Sequence, residues 1–150
     1  MAQGQKQVRI IEPLERFVNR INLVGCYARV SSDSEDQLNS YNNQVDFYES
    51  YVNSLENSKL VKIYTDEGIT GTRMDKRDGF LQMIEDCRKG LINTIITKSI
   101  SRFARNITET LSVVRELKSI GVSVYFMTEK IDTAKMGSEM MLAVYAACAE

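Results

Sequence analysis

The chain has 150 residues, 43% apolar and 26% charged, which suits a single globular domain. Nineteen basic and twenty acidic side chains leave a net charge of −1, which excludes a histone-like basic protein and a polyacidic tail. There is no histidine, and the three cysteines, Cys26, Cys87 and Cys148, are widely spaced with no CxxC pair. A Ser-His-Asp triad, a Cys-His pair, an HExxH zinc site and a disulfide framework are excluded together.

The acid–base work of an enzyme with this composition falls to carboxylates, Arg, Lys, Tyr or water. The longest unbroken apolar run, Met140 to Ala149, is ten residues, too short to span a bilayer. The N-terminus, MAQGQKQVRIIEP, lacks an apolar signal core. These features point to a reducing cytoplasmic setting with no membrane partner.

Residues 1–20 are polar and charged and hold the one proline, Pro13. They read as an N-terminal arm or an added short strand, leaving 21–150 as the domain. LVGCYARV (23–30) has the apolar, β-branched and aromatic character of a buried strand. Leu38, Tyr41, Val45, Tyr48, Val52 and Leu55 then recur in steps of three and four, the period of an amphipathic helix. LVKIYT (60–65) predicts a second strand, followed by a long polar loop, EGITGTRMDKRDG (67–79). Loops of that length inside a compact domain are often functional.

Phe80, Leu81, Ile84 and Cys87 mark a short helix stopped by Gly90. TIITKSI (94–100) predicts a third strand. Ile107, Leu111, Val114, Leu117 and Ile120 mark a helix closed by Gly121. VSVYFM (122–127) is a fourth strand, and Ser138 reads as the cap of a last helix over 139–149. That helix is still running at Glu150, so the reading predicts a piece of a longer protein. The alternation of strands and helices predicts an α/β fold: a mostly parallel central sheet of four to five strands with helices on both faces.

In open parallel sheets, ligands lie beyond the carboxyl ends of the strands. Tyr27-Ala28-Arg29-Val30-Ser31 closes the first strand, and Thr65-Asp66-Glu67-Gly68 opens the loop holding Arg73, Lys76 and Arg77. Lys98 through Asn106 follow the third strand. Residues 94–108 carry three cations (Lys98, Arg102, Arg105) and no acid, whereas 29–58 carry one cation and six acids. Basic character this local suits a phosphate site better than a DNA-binding surface. Arginines fork onto phosphate oxygens and balance charge on a five-coordinate phosphorus, and they favour a serine alkoxide where histidine is missing. A helix starting after the third strand would add backbone N–H groups to such a site.

Each feature alone has a plainer reading. A serine at a strand end is commonly a turn or cap residue, an RxxR pair on a helix a solvated face, and Cys26 a small core hydrophobe. Leu38, Val45, Val52, Leu111, Val114 and Leu117 read as helix-to-sheet packing. Met127, Met136, Met140 and Met141 read either as core or as an adaptable subunit interface. No GxxxxGK[ST] is present, which excludes a P-loop NTPase.

Taken together, the blocks resemble the serine recombinases, the resolvase and invertase family, over about Leu23 to Glu150. Tyr27-Ala28-Arg29-Val30-Ser31 is similar to the family's Y-x-R-V-S signature. SEDQLNSYNNQ (34–44) resembles its helix-opening segment, with Gln44 matching the active-site glutamine. Tyr64 to Gly68 with Gly71 and Arg77 resembles the D-x-x-x-G…R loop. Ser101-Arg102-Phe103-Ala104-Arg105 resembles the D-R-x-x-R block, and Gly137-Ser138-Glu139-Met140 the entry to the long dimer helix. The serine at 101, where small resolvases and invertases carry aspartate, resembles the large serine recombinases and weakens a general-acid role for a carboxylate there.

The resemblance implies site-specific recombination of double-stranded DNA, with Ser31 as the nucleophile of a 5′-phosphoserine intermediate. It assigns Arg29, Arg102 and Arg105 to the phosphate and Arg77 to the loop position. It calls for neither a cofactor nor a metal, and implies a homodimer and a synaptic homotetramer, with DNA recognition outside these residues. The competing reading is a non-catalytic, flavodoxin-like module that binds a phosphorylated ligand or a partner protein through the same loops.

Overall fold

The apolar run at 23–30 becomes the strand around which the sheet is built. A computed structural model describes residues 20–31, 34–68, 77–104 and 106–149. In chain order the elements are β1 (Asn22–Ser31), α1 (Ser34–Asn53), β2 (Ser58–Gly68), α2 (Asp78–Arg88) and β3 (Thr94–Thr97). There follow α3 (Ile100–Phe103), α4 (Ile107–Ser119), β4 (Ser123–Phe126), β5 (Ile131–Asp132) and α5 (Ser138–Ala149). The sheet order is β2-β1-β3-β4-β5; β1 pairs in parallel with β2 and β3, β3 with β4, and β5 closes the edge antiparallel to β4. The expected α/β fold, with a mostly parallel sheet covered on both faces, is the one observed.

β1 is paired along both edges, and helices cover both of its faces. Val24, Cys26 and Ala28 pack with Tyr48 and Val52 of α1 and Ile96 of β3. Tyr27 faces the opposite side, among residues of α2, α4 and α5. There a chain of edge-to-face rings runs Tyr27–Phe80–Phe103–Phe126, with centroid separations of 5.4, 5.2 and 5.4 Å. Each such pair contributes about 0.5–1.5 kcal/mol beyond its burial. Together they tie β1, α2, α3 and β4 into one block under the carboxyl edge of the sheet.

Three boundaries differ from the sequence reading. The third strand ends at Thr97, not Ile100, because Ile100 and Phe103 turn inward as the buried residues of the one-turn helix α3. A β-branched residue at 100 extends a strand pattern, and only packing distinguishes the two. β5 was not expected; two residues on an antiparallel edge leave no periodicity to read. Ser138 begins α5 rather than capping it from outside, and its hydroxyl donates to the Thr133 carbonyl at 3.4 Å. Gly121 follows α4 at φ +82°, a left-handed conformation that favours glycine, as the C-terminal reading requires.

Residues 1–19 of the expected arm lie outside the described residues. Arg20 donates to the carbonyls of Asn93, at 2.9 Å, and Gly121, fastening the entry to β1 under β3 and β4. Of the four methionines between 127 and 141, Met127 packs half-buried on the α1 side, while Met136, Met140 and Met141 are exposed.

The cysteines separate by burial. Burial pushes the thiols of Cys26 and Cys87 up to about 12, whereas Cys148 is exposed on α5. A thiol reagent at neutral pH is therefore expected to label the native protein once, at Cys148, and three times in denaturant. Mass spectrometry of the labelled protein checks this; rapid native labelling of Cys26 would contradict the packing of β1 against α1.

Candidate active site

β1 connects to β2 on one side, and β3 then forms on the other. The direction of winding reverses between β1 and β3, and the carboxyl ends of these strands flank the crevice where such sheets bind ligands. Ser31 is the last residue of β1, in register with Gly68 of β2. Strand alternation puts positions 27, 29 and 31 on one face of the sheet. Arg29 is half-buried and in register with Asp66. Across the crevice, β3 ends at Thr97, and exposed Lys98 and Arg102 follow it. Ser31, Arg29 and Arg102 thus reach one sheet edge from two adjacent strands. Arg105, Arg73 and Lys76 lie outside the described residues.

The floor of this edge is held by hydrogen bonds. The carbonyl of Tyr27 accepts from the Tyr48 hydroxyl of α1 at 3.1 Å and from Thr97 Oγ1 of β3 at 3.2 Å. The Tyr27 hydroxyl donates to Asp66 Oδ2 at 2.7 Å. Burial, then this bond to Asp66, raises the phenol above its ordinary pKa, so it remains a donor. Asp66 is itself buried. It accepts from the Gly79 N–H on Oδ1 at 2.7 Å and the Phe80 N–H on Oδ2 at 2.9 Å.

Asp66 is therefore the cap of α2, supplied from β2 in place of a local side chain; Arg77, at the N-cap position, makes no side-chain cap bond. Gly79 permits the approach, since a Cβ there would collide with the Thr65 carbonyl and sit 3.0 Å from Asp66 Oδ1. One carboxylate thereby joins the end of β2 to the start of α2.

Two expected site residues are engaged in the scaffold. Arg77 Nη1 donates to Glu109 of α4 at 3.1 Å, Nη2 to the Phe103 carbonyl, and the guanidinium lies 3.9 Å from the centre of the Phe80 ring. Gln44 is half-buried on α1, and its amide donates to the Ser40 hydroxyl one turn earlier at 3.2 Å. The helix starts near Arg102 are likewise occupied by protein groups. The Ile100 N–H points at both carboxylate oxygens of Glu129, 3.3 Å away, and Asn106 Oδ1 accepts from the Glu109 N–H at 2.8 Å.

A family model described as the resolvase N-terminal domain matches residues 24–150. The chain belongs to the resolvase family of serine recombinases. The Tn552 transposon resolvase of Staphylococcus aureus is 31% identical over 132 residues, covering 83% of this chain and 56% of that protein. The Tn552 DNA-invertase BinR of the same organism is also 31% identical over 132 residues and is covered over 58% of its length. The chain thus spans a little over half of these curated relatives.

Among solved structures, a resolvase-family site-specific recombinase from Streptococcus pneumoniae is similar, with TM-score 0.67 and 27% identity over 85% of each chain. The N-terminal catalytic domain of TP901-1 integrase shares the fold, with TM-score 0.63 and 23% identity, over 84% of this chain and 92% of that one. Resolvase membership disfavours the flavodoxin-like binding module as a reading of the same sheet.

Sequence reasoning passed over Glu109 and Glu129. Glu129 lies three residues past β4, in a turn that shows no periodicity. Glu109 is an ordinary first-turn acid by pattern; its pairing with Arg77 is a long-range contact. Among the described residues, no group of three His, Cys, Asp or Glu side chains is placed to hold a metal ion.

Proposed function

We propose that this resolvase-family domain cuts and rejoins double-stranded DNA with Ser31 as nucleophile. The observation that carries the reading is the position of Ser31 at the end of the central strand, at the β1/β3 switch point, opposite the turn bearing Arg102. Ser31 Oγ attacks the phosphorus; its proton is lost, a P–O bond to Ser31 forms, and the P–O3′ bond breaks. The leaving 3′ oxygen takes up a proton. Rejoining is the reverse, with a 3′-hydroxyl of another strand expelling Ser31. One P–O bond is broken for each one formed, so the exchange requires no nucleotide hydrolysis.

Arg29, Arg102 and Arg105 balance the charge that grows on the phosphorus oxygens, as preorganised cations do most effectively at a partly desolvated edge. Arg77 and Gln44 support the site from the scaffold. With a net charge of −1, tight DNA binding comes from elsewhere in the protein or from assembly. α5 offers a surface for assembly as dimer and synaptic tetramer. Only Leu142 of its large side chains is fully buried, whereas Met140, Met141, Val144 and Tyr145 are exposed.

The direct test is covalent trapping. The intact protein is incubated with a labelled duplex selected by binding from a random-sequence pool and run under denaturing conditions. A band of protein-bound DNA, released by protease, is expected; its absence with a tightly bound duplex would sink the nucleophile reading. The same adduct is expected to form undiminished in EDTA, because serine and arginines supply the chemistry. Loss of adduct on chelation, restored by magnesium, would point to a metal-dependent nuclease.

A further inference from the structure

The turn that carries Arg102 has only four helical residues, Ile100 to Phe103. A single helical turn is not self-supporting, since nucleation fixes several dihedrals for one hydrogen bond. Its geometry has to be imposed from outside. Ile100 and Phe103 are both buried and fix its inner side. Its carboxyl end is held where Arg77 donates to the Phe103 carbonyl, with Glu109 on the same guanidinium. Its amino end is held by Glu129, whose carboxylate receives the Ile100 N–H.

Glu129 is delivered there by continued pairing beyond the strand ends. The Met127 N–H donates to the Thr97 carbonyl at 3.0 Å and the Thr128 N–H to the Lys98 carbonyl at 2.8 Å. Lys130, at φ +55°, then turns the chain back into β5. A non-glycine residue in the left-handed region is uncommon, and here it directly follows Glu129.

We propose that Glu129 is a positioning residue for DNA cleavage: it orients the Ser99–Ala104 turn so that Arg102 meets the phosphate attacked by Ser31. This inference rests on the recombinase reading above. Glu129 touches neither DNA nor Ser31 in this role; it acts through the Ile100 N–H. In a chain with serine at 101, it is the carboxylate that contacts the arginine-bearing turn from β4.

The test compares Glu129→Ala, which removes the acceptor, with Glu129→Gln, which keeps an acceptor oxygen and removes the charge. Adduct formation by the intact protein is measured against concentration of the selected duplex. In Glu129→Ala the rate at saturating DNA is expected to fall about tenfold or more, the scale expected when a charged group is displaced from a transition state, with half-saturation unchanged. Glu129→Gln is expected to recover most of that rate. Amide exchange across 100–104, measured without DNA, is expected to quicken in Glu129→Ala and not in Glu129→Gln.

An unchanged saturating rate in Glu129→Ala would overturn the proposal. So would an effect confined to half-saturation, or equal loss in both variants. If the unsubstituted protein forms no adduct, the recombinase reading fails instead, and exchange alone decides whether Glu129 holds the turn. If Glu129→Ala does not fold, Glu129→Gln carries the decision, and loss of rate in a folded Gln variant overturns the acceptor role.

Discussion

Ser31→Ala is expected to abolish the covalent protein–DNA adduct while leaving binding of the selected duplex within about twofold of the unsubstituted protein. The fall in cleavage rate is expected to be about 10⁴-fold or more, the scale seen when a nucleophile is removed and positioning groups are left in place. Two features make the prediction sharp. The chain has no histidine, so no other serine or cysteine has a conventional base beside it. Both Cys26 and Cys87 are buried with their thiols pushed up to about 12, which removes them as substitutes at neutral pH. Ser31 is the last residue of β1, so alanine there is expected to leave the sheet intact. Electrophoretic adduct assays and mobility-shift binding on the same preparations check both halves. Residual adduct formation by Ser31→Ala would remove Ser31 from the mechanism.

The largest expected effect on stability is at Asp66. Asp66→Ala leaves two buried donors, the Tyr27 hydroxyl and the Phe80 N–H, and the half-buried Gly79 N–H without their acceptor. Losing a helix cap costs about 1–2 kcal/mol, and each buried polar group left unpaired about 1–3 kcal/mol, so a loss of roughly 4 kcal/mol is expected after partial relaxation. For a domain of this size that corresponds to a fall in Tm of roughly 8–16 °C. Thermal unfolding followed by circular dichroism checks it. A fall of less than about 2 °C would mean that water replaces the carboxylate and that Asp66 does not join β2 to α2. Asp66→Asn keeps one acceptor oxygen and is expected to fall between the two.

Much of this was legible in the residues. Strand β1 announced itself because a strand in a sheet covered by helices on both faces must be apolar on both faces, and LVGCYARV has that character. Helix α4 announced itself because one face packs on a sheet and the other meets water, which gives steps of three and four ending at a glycine. The candidate blocks could be read for a related reason: in a parallel sheet ligands lie beyond the strand ends, which singles out Ser31 at the end of β1 and Arg102 after β3 as candidates.

What stayed hidden was each contact made across the sequence. Asp66 looks like a loop acid and is the cap of a helix twelve residues later. Arg77 reads as a loop arginine and is clasped by Glu109, the Phe103 carbonyl and the Phe80 ring. Glu129, three residues past β4, holds the first N–H of α3.

The class of fold and the family were readable in the residues alone. These rest on local periodicity and on residue types at fixed spacing, which survive any arrangement of the elements. Only the tertiary structure decided that β3 lies on the far side of β1 from β2, which places Arg102 across a crevice from Ser31. Only it decided which charges point into the scaffold and which toward that edge. A hydrogen bond between residues tens of positions apart leaves no periodic trace, because its partners are set by how the elements pack and not by their own spacing.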